Sequence, residues 1–246
     1  MSSELSAALV RLARADRLLV ALDFDGTISA IVADPASARP VPGALEQLHR
    51  LSLARGVDVL LLSGRGRDDL AAVSGAAEIA TLVGSHGQEM GAGIVLADDE
   101  RALIDRLAAD VRVAVAPLPE ARVEDKPAGF AVHVRGCTPQ DADLAVARVE
   151  ALVADALHRM HGKMVVEFSV RPLDKGSALR SLIDDDPDRL VLFAGDDVTD
   201  ESAMAVLRDQ DVAVKVGTGQ TRAGHRVDSP EAMVAVLTDL ADLRAG

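Results

Sequence analysis

Tryptophan and tyrosine are absent from the 246 residues, and phenylalanine occurs only four times. Aromatic platforms for nucleobases or sugar rings are therefore scarce, and polar groups must carry more of any ring recognition. Cys137 is the only cysteine. That excludes an intrachain disulfide and a cysteine-based zinc centre, and leaves an ordinary buried or surface thiol. Basic charge is also in short supply. Lys and Arg number 26 against 39 Asp and Glu, a formal net charge of −13. A nucleic-acid or anionic-membrane binder carries a basic face, so neither partner is expected. No apolar run approaches the ~18 residues that span a bilayer. Residues 1–17 read as an amphipathic helix, without the unbroken apolar core or cleavage site of a signal peptide. A reducing, cytoplasmic location is the expectation. Internal repeats and low-complexity tracts are missing too.

What is present is globular: 49% apolar and 26% charged residues, in a length that suits one large domain or one domain with a smaller companion. Five short apolar runs, Leu18–Leu22, Val57–Leu62, 79–83, 190–194 and Val212–Val216, read as strands buried on both faces of a parallel sheet. Helical patterns at 43–55, 67–76, 176–183, 199–208 and 230–243 alternate with them. The expected class is α/β, a doubly wound parallel sheet whose ligands gather at the carboxyl ends of the strands. The middle of the chain differs. A helix over 100–115, strands over 122–125 and 130–135 around Lys126-Pro127-Ala128-Gly129, a long helix over 141–160 and a strand over 165–170 make an α+β unit. The expected division is a core of residues 1–97 and 172–246 with an inserted domain of residues 98–171.

Polar residues and glycines follow the apolar runs. Asp23-Phe24-Asp25-Gly26-Thr27 closes the first. Residues i and i+2 of a strand face the same way, so Asp23 and Asp25 are expected to converge, at a cost unless a cation or proton neutralises them. A strand end with an Asp-Gly turn explains Asp25-Gly26 but not the carboxylate two residues upstream. Gly195-Asp196-Asp197-Val198-Thr199-Asp200-Glu201 closes another run, with four acidic residues in seven. Helix capping by Thr199, with Asp200 and Glu201 in the first turn, accounts for part of it and leaves Asp196 and Asp197 over. Magnesium takes one or two carboxylates together with water and phosphate. Ser63-Gly64-Arg65 and Asp174-Lys175-Gly176 are weak signals singly. In order, however, the four motifs offer a carboxylate pair, a hydroxyl, a lysine and an acidic pair, the parts that phosphoryl transfer requires.

With these motifs the sequence resembles the haloacid dehalogenase superfamily of phosphotransferases, and more narrowly the trehalose-6-phosphate phosphatases. The stretches that carry the resemblance include LDFDGT, VLLLSGR, LVGSHGQEM, VEDKPAGFAVHVR, VRPLDKGSAL, FAGDDVTDE and VKVGTGQTRAGH. The resemblance implies a core with an α+β cap, magnesium as cofactor and a phosphosugar as substrate. It implies Asp23 as nucleophile, Asp25 as acid and then base, and Ser63 and Lys175 on the phosphoryl oxygens. Magnesium would be held by Asp23, the backbone carbonyl of Asp25, and Asp196, with Asp197 and Asp200 behind them. Phe24, Thr27, Arg65 and His86 would line the substrate site, Thr27 as a partner of phosphate or Asp25. Glu124, Lys126 and Glu167 of the cap would contact sugar. The family often has an aromatic between the His and Arg of the inserted strand, where this chain has Val134 between His133 and Arg135. Alternatives are a phosphatase for another phosphosugar, such as sucrose phosphate, a phosphosugar mutase, and a catalytically silent binding protein on the same fold.

Overall fold

A computed structural model describes residues 2–91, 94–162, 164–171 and 174–245. In chain order its elements are α1 (Ser3–Ala13), β1 (Leu18–Leu22), α2 (Ala44–Leu53), β2 (Val57–Leu62), α3 (Arg67–Ser74), β3 (Thr81–Val83) and α4 (Asp98–Val115). Next come β4 (Arg122–Lys126), β5 (Gly129–His133), α5 (Pro139–Val153), β6 (His158–Gly162), β7 (Val165–Ser169) and α6 (Lys175–Asp185). The chain ends with β8 (Leu190–Gly195), α7 (Asp200–Met204), β9 (Val212–Val216), β10 (His225–Val227) and α8 (Pro230–Ala245). Contacts divide it into two units, Met1–Met90 with Asp174–Gly246, and Gly91–Leu173.

The first unit is built on a six-stranded parallel sheet in the order β10-β9-β8-β1-β2-β3. Every residue of β1 is buried, which is why Leu-Leu-Val-Ala-Leu reads as an unbroken apolar run. Leu18, Val20 and Leu22 face a core completed by Leu9, Leu48, Leu51 and Leu237 of α1, α2 and α8. Leu19 and Ala21 face the other side, with Leu179 and Ile183 of α6 and Ala203 of α7. The chain builds outward from β1 in one direction through β2 and β3, and in the other through β8, β9 and β10. The carboxyl end of β1 is thus where the winding reverses, the place where such sheets open a crevice.

The second unit carries an antiparallel sheet, β4-β5-β7-β6. Alternation sorts its side chains. Phe130, Val132, Val166 and Phe168 pack on Ile104, Leu107 and Val111 of α4 and on Ala145, Val149 and Val153 of α5. The intervening residues, Ala131, His133 and Glu167, belong to the opposite face.

Three expectations need correction. The helix read over 141–160 ends at Val153, where the apolar stripe stops and Ala154 takes φ 44°, and His158–Gly162 instead pairs with β7. That strand has a polar pattern because it lies at the sheet edge. The helix begins earlier than read, capped by the Thr138 hydroxyl on the Asp141 N–H at 3.2 Å. Thr199 does not cap α7: it is already helical and its side chain makes no capping bond. The strand expected over 79–83 begins only at Thr81, and His225–Val227 adds β10, a short strand with no apolar run to announce it. Among the described residues no helix is long and apolar enough to cross a membrane.

Candidate active site

Asp23 follows β1 directly, and its N–H continues the sheet ladder to the Ala194 carbonyl of β8 at 2.9 Å. The residue is 5% exposed. Oδ1 accepts from Lys175 Nζ at 2.6 Å, and Oδ2 lies 3.4 Å from the Thr27 hydroxyl. Thr27 thus donates to Asp23, where the resemblance implied phosphate or Asp25 as its partner. Lys175 opens α6 behind the Asp174 cap and also donates to Asp200 Oδ1 at 2.7 Å. The other oxygen of Asp200 accepts the Asp197 N–H at 2.8 Å. Asp200 is wholly buried, and the space it fills exists because residue 195 is glycine. A Cβ there would stand 2.2 Å from the Asp200 carboxyl carbon. Gly26 does the same for Asp196, whose carboxyl carbon would be 2.3 Å from a Cβ at residue 26, where φ is +82°.

Ligand oxygens of Asp23, Asp196 and Asp200 lie within 4.8 Å of one another. Lys175 bonds two of the three, Asp23 and Asp200. Burial pushes the Asp23 carboxyl well above its ordinary range; Lys175 pulls it down, and Asp200 and Asp196 push it up again. Burial also opposes the Lys175 charge, but Asp200 and Asp23 outweigh it and raise the ammonium above its ordinary value. The surplus of negative charge and the all-oxygen donor set suit a hard divalent cation such as Mg2+. Asp200 has both oxygens held at 2.7 and 2.8 Å, whereas Asp23 Oδ2 has only the 3.4 Å contact from Thr27, so Asp23 is the freer ligand of the two.

Asp25 lies two residues beyond Asp23, past the end of β1, and its carboxylate is held by Arg65. Arg65 Nε and Nη2 donate to its two oxygens at 2.6 and 2.8 Å, while Nη1 donates to Asp69 at 2.7 Å. The guanidinium also lies 5.7 Å over the Phe24 ring. These carboxylates hold Arg65 above its ordinary value despite burial. Ser63 follows β2, is buried, and accepts the Arg65 N–H at 3.2 Å. Ser85 and His86 both adopt left-handed φ, 47° and 56°, which stores strain. The His86 N–H donates to the Ser63 carbonyl at 2.9 Å, and the ring lies against Gly64, 2.6 Å from where a Cβ would stand.

In the second unit Glu124 of β4 pairs with Lys126 Nζ and with His133 Nε2 of β5, each at 2.7 Å. Although burial works against its charge, the bond from His133 and the charge of Lys126 hold the Glu124 carboxyl at about 2. Glu167 of β7 is opposite Ala131, and Ala131 is opposite Glu124, so the two glutamates occupy one row of the sheet. Val134 points into the core of this unit. An aromatic is therefore not missing from the face that carries His133. Sequence reasoning passed over Asp69 and Lys215. The signal for Lys215 was a charge inside the apolar run Val-Ala-Val-Lys-Val.

The trehalose-phosphatase family model matches residues 21–231, from β1 into α8 and through both units. The chain belongs to the trehalose-phosphatase family. The trehalose-phosphate phosphatase of Mycobacterium bovis is similar to it, 36% identical over 262 aligned residues that cover 96% of this chain and 66% of that protein. The chain thus spans just under two thirds of the length of that relative. Among solved structures, a trehalose-6-phosphate phosphatase related protein matches with TM-score 0.75 and 26% identity, over 92% of this chain and 97% of that one. A haloacid dehalogenase-like hydrolase from B. subtilis matches with TM-score 0.59 and 15% identity, over 89% and 98%. The fold is that of these hydrolases: a doubly wound parallel-sheet core with a smaller α+β cap. The DxD segment that follows β1 and the acidic segment that follows β8 meet at the winding reversal, where Asp23, Asp196 and Asp200 gather.

Proposed function

We propose that the chain is a magnesium-dependent phosphatase that hydrolyses trehalose 6-phosphate to trehalose and phosphate through an aspartyl phosphate. The observation that carries this reading is Lys175, shared at 2.6 and 2.7 Å between Asp23 and Asp200 beside Asp196. An ammonium in this position steadies the nucleophile and then meets the phosphoryl oxygens. A carboxylate oxygen of Asp23 attacks phosphorus and the bond to the sugar oxygen breaks. Asp25, protonated from solvent once it parts from Arg65, gives that proton to the sugar oxygen, because a sugar alkoxide is a poor leaving group. Asp25 then takes a proton from water as water attacks the acyl phosphate, which returns Asp23 and frees inorganic phosphate. Ser63 and Lys175 hold the phosphoryl oxygens, with Thr27 beside Asp23 and with Arg65 and His86 around the reacting group; Phe24, whose side chain is wholly buried in the core, offers the site its backbone. Asp23, the Asp25 carbonyl and Asp196 would hold Mg2+, with Asp197 and Asp200 supporting them. When bound, the ion supplies charge to the phosphoryl oxygens.

Glu124, Lys126 and Glu167 are assigned to the sugar hydroxyls, where charge-assisted hydrogen bonds replace the aromatic stacking that the composition lacks. A reducing cytoplasm is the compartment we assign. Phosphate release from a panel of phosphosugars, with and without Mg2+, tests the reading. Trehalose 6-phosphate should be the preferred substrate and EDTA should stop the reaction. Preference for sucrose phosphate would move the chain to a different substrate, and no release from any ester would remove the enzyme.

A further inference from the structure

Lys215 is a buried ammonium for which the reaction above has no use. It lies in β9 between Val214 and Val216, is 3% exposed, and is in register with Gly195 at the end of β8. A lysine charge within a valine-rich strand persists only where its donors find acceptors. Its partners all belong to the segment that follows β8. Nζ lies 2.7 Å from the Asp196 carbonyl oxygen, 3.4 Å from that of Asp197 and 3.7 Å from Glu201 Oε1. Glu201 accepts the Arg222 N–H at its other oxygen, at 2.8 Å. Asp200 holds the same segment through the Asp197 N–H. The main chain of Asp196 and Asp197 is thus tied to Lys215 at its carbonyls and to Asp200 at an N–H. The Asp196 carboxylate lies against Gly26 and has an oxygen within 4.8 Å of one of Asp23.

We propose that Lys215 is a positioning residue for the divalent cation, fixing the backbone from which the Asp196 carboxylate is presented. This rests on the metal reading of the previous subsection. A positive charge near a cation site also repels the cation, so the sign of the effect must be decided. Glu201 at 3.7 Å offsets much of the field of Lys215 at the site. The geometric effect remains, because two carbonyls lose their donor when Lys215 is removed. Outer partners of metal ligands typically contribute 10- to 100-fold in affinity.

The experiment titrates the full chain with Mn2+ alone, counting free Mn2+ by its EPR signal, and measures the thermal midpoint in EDTA. Two variants keep the net charge of the pair: Lys215→Met/Glu201→Gln, which removes both charges, and Lys215→Arg, which replaces a compact ammonium by a planar fork. The double variant should bind Mn2+ at least about tenfold more weakly, and Lys215→Arg several-fold more weakly. A folded double variant that binds within about twofold of wild type overturns the proposal, whatever its thermal midpoint, since Lys215 then only supports the fold. If the double variant does not fold, Lys215→Arg decides by the same criterion. Absence of Mn2+ binding by the wild type would overturn the metal reading itself, which separates the two failures.

Discussion

Arg65 grips both oxygens of Asp25, with Nε 2.6 Å from Oδ2 and Nη2 2.8 Å from Oδ1. A two-pronged contact fixes the plane of the carboxylate as well as its position. Arg65→Lys, which keeps charge but not the fork, should lower kcat for trehalose 6-phosphate about 10- to 100-fold with little change in KM, consistent with the strength of a charged hydrogen bond. Asp25→Ala should suppress the burst of leaving group from the sugar phosphate more than that from an aryl phosphate, which needs less protonation. Stopped-flow bursts measure both. Equal losses on the two substrates would take the acid role away from Asp25.

Asp23→Asn should abolish turnover, by more than about a thousandfold, since the nucleophilic charge is gone while the shape remains. Its effect on stability has the opposite sign. The folded carboxyl is raised above its unfolded value, so the folded state binds this proton more tightly than the unfolded one. The ionised group therefore costs stability at neutral pH, and the cost fades as pH falls toward the unfolded value. In EDTA at neutral pH the thermal midpoint of Asp23→Asn should equal or exceed that of wild type. A marked fall would mean that the ion pair with Lys175 outweighs burial.

The metal reading predicts dependence of rate on Mg2+, with Ca2+ unable to replace it because its looser coordination disfavours in-line geometry. Asp196→Asn should shift the Mg2+ activation curve to higher concentration, and Asp200→Asn should act more through Lys175 and the fold. Full activity in excess EDTA would sink the assignment.

Glu124→Ala, Lys126→Ala and Glu167→Ala should each lower kcat/KM for trehalose 6-phosphate by about 1.5–3 kcal/mol, roughly 10- to 150-fold, with much smaller effects on a small aryl phosphate. Parallel losses on both would make these residues supports of the fold. Glu124 also predicts a pH effect. Its carboxyl is depressed from 4.5 to about 2, so its stabilising contribution is present above about 4.5 and is lost as pH falls toward 2. Circular-dichroism melts of wild type and Glu124→Gln should therefore differ at pH 6 and converge over that window.

Much of this architecture can be read locally. The strands β1, β2, β8 and β9 announce themselves because a parallel strand buried on both faces is nearly apolar throughout, Asp58 and Lys215 being the exceptions, and the charged residues that follow Leu22 and Gly195 then stand out. That local rule marked five of the six strands, though neither β10 nor the strand order, and drew attention to Asp23, Asp196 and Asp200. It could not find β6, because an edge strand needs no apolar run and His158–Gly162 is strand only through its partner β7. The contacts that organise the site are likewise not local. Lys175 meets Asp23 across 152 residues, and Arg65 meets Asp25 across 40, because β1 is seated between β2 and β8. Strand order brings these groups together, and side-chain reach and burial then select the partners. Only the tertiary structure could decide that Arg65 faces a carboxylate, that Thr27 faces Asp23, and that a lysine among valines ties down the segment that bears Asp196.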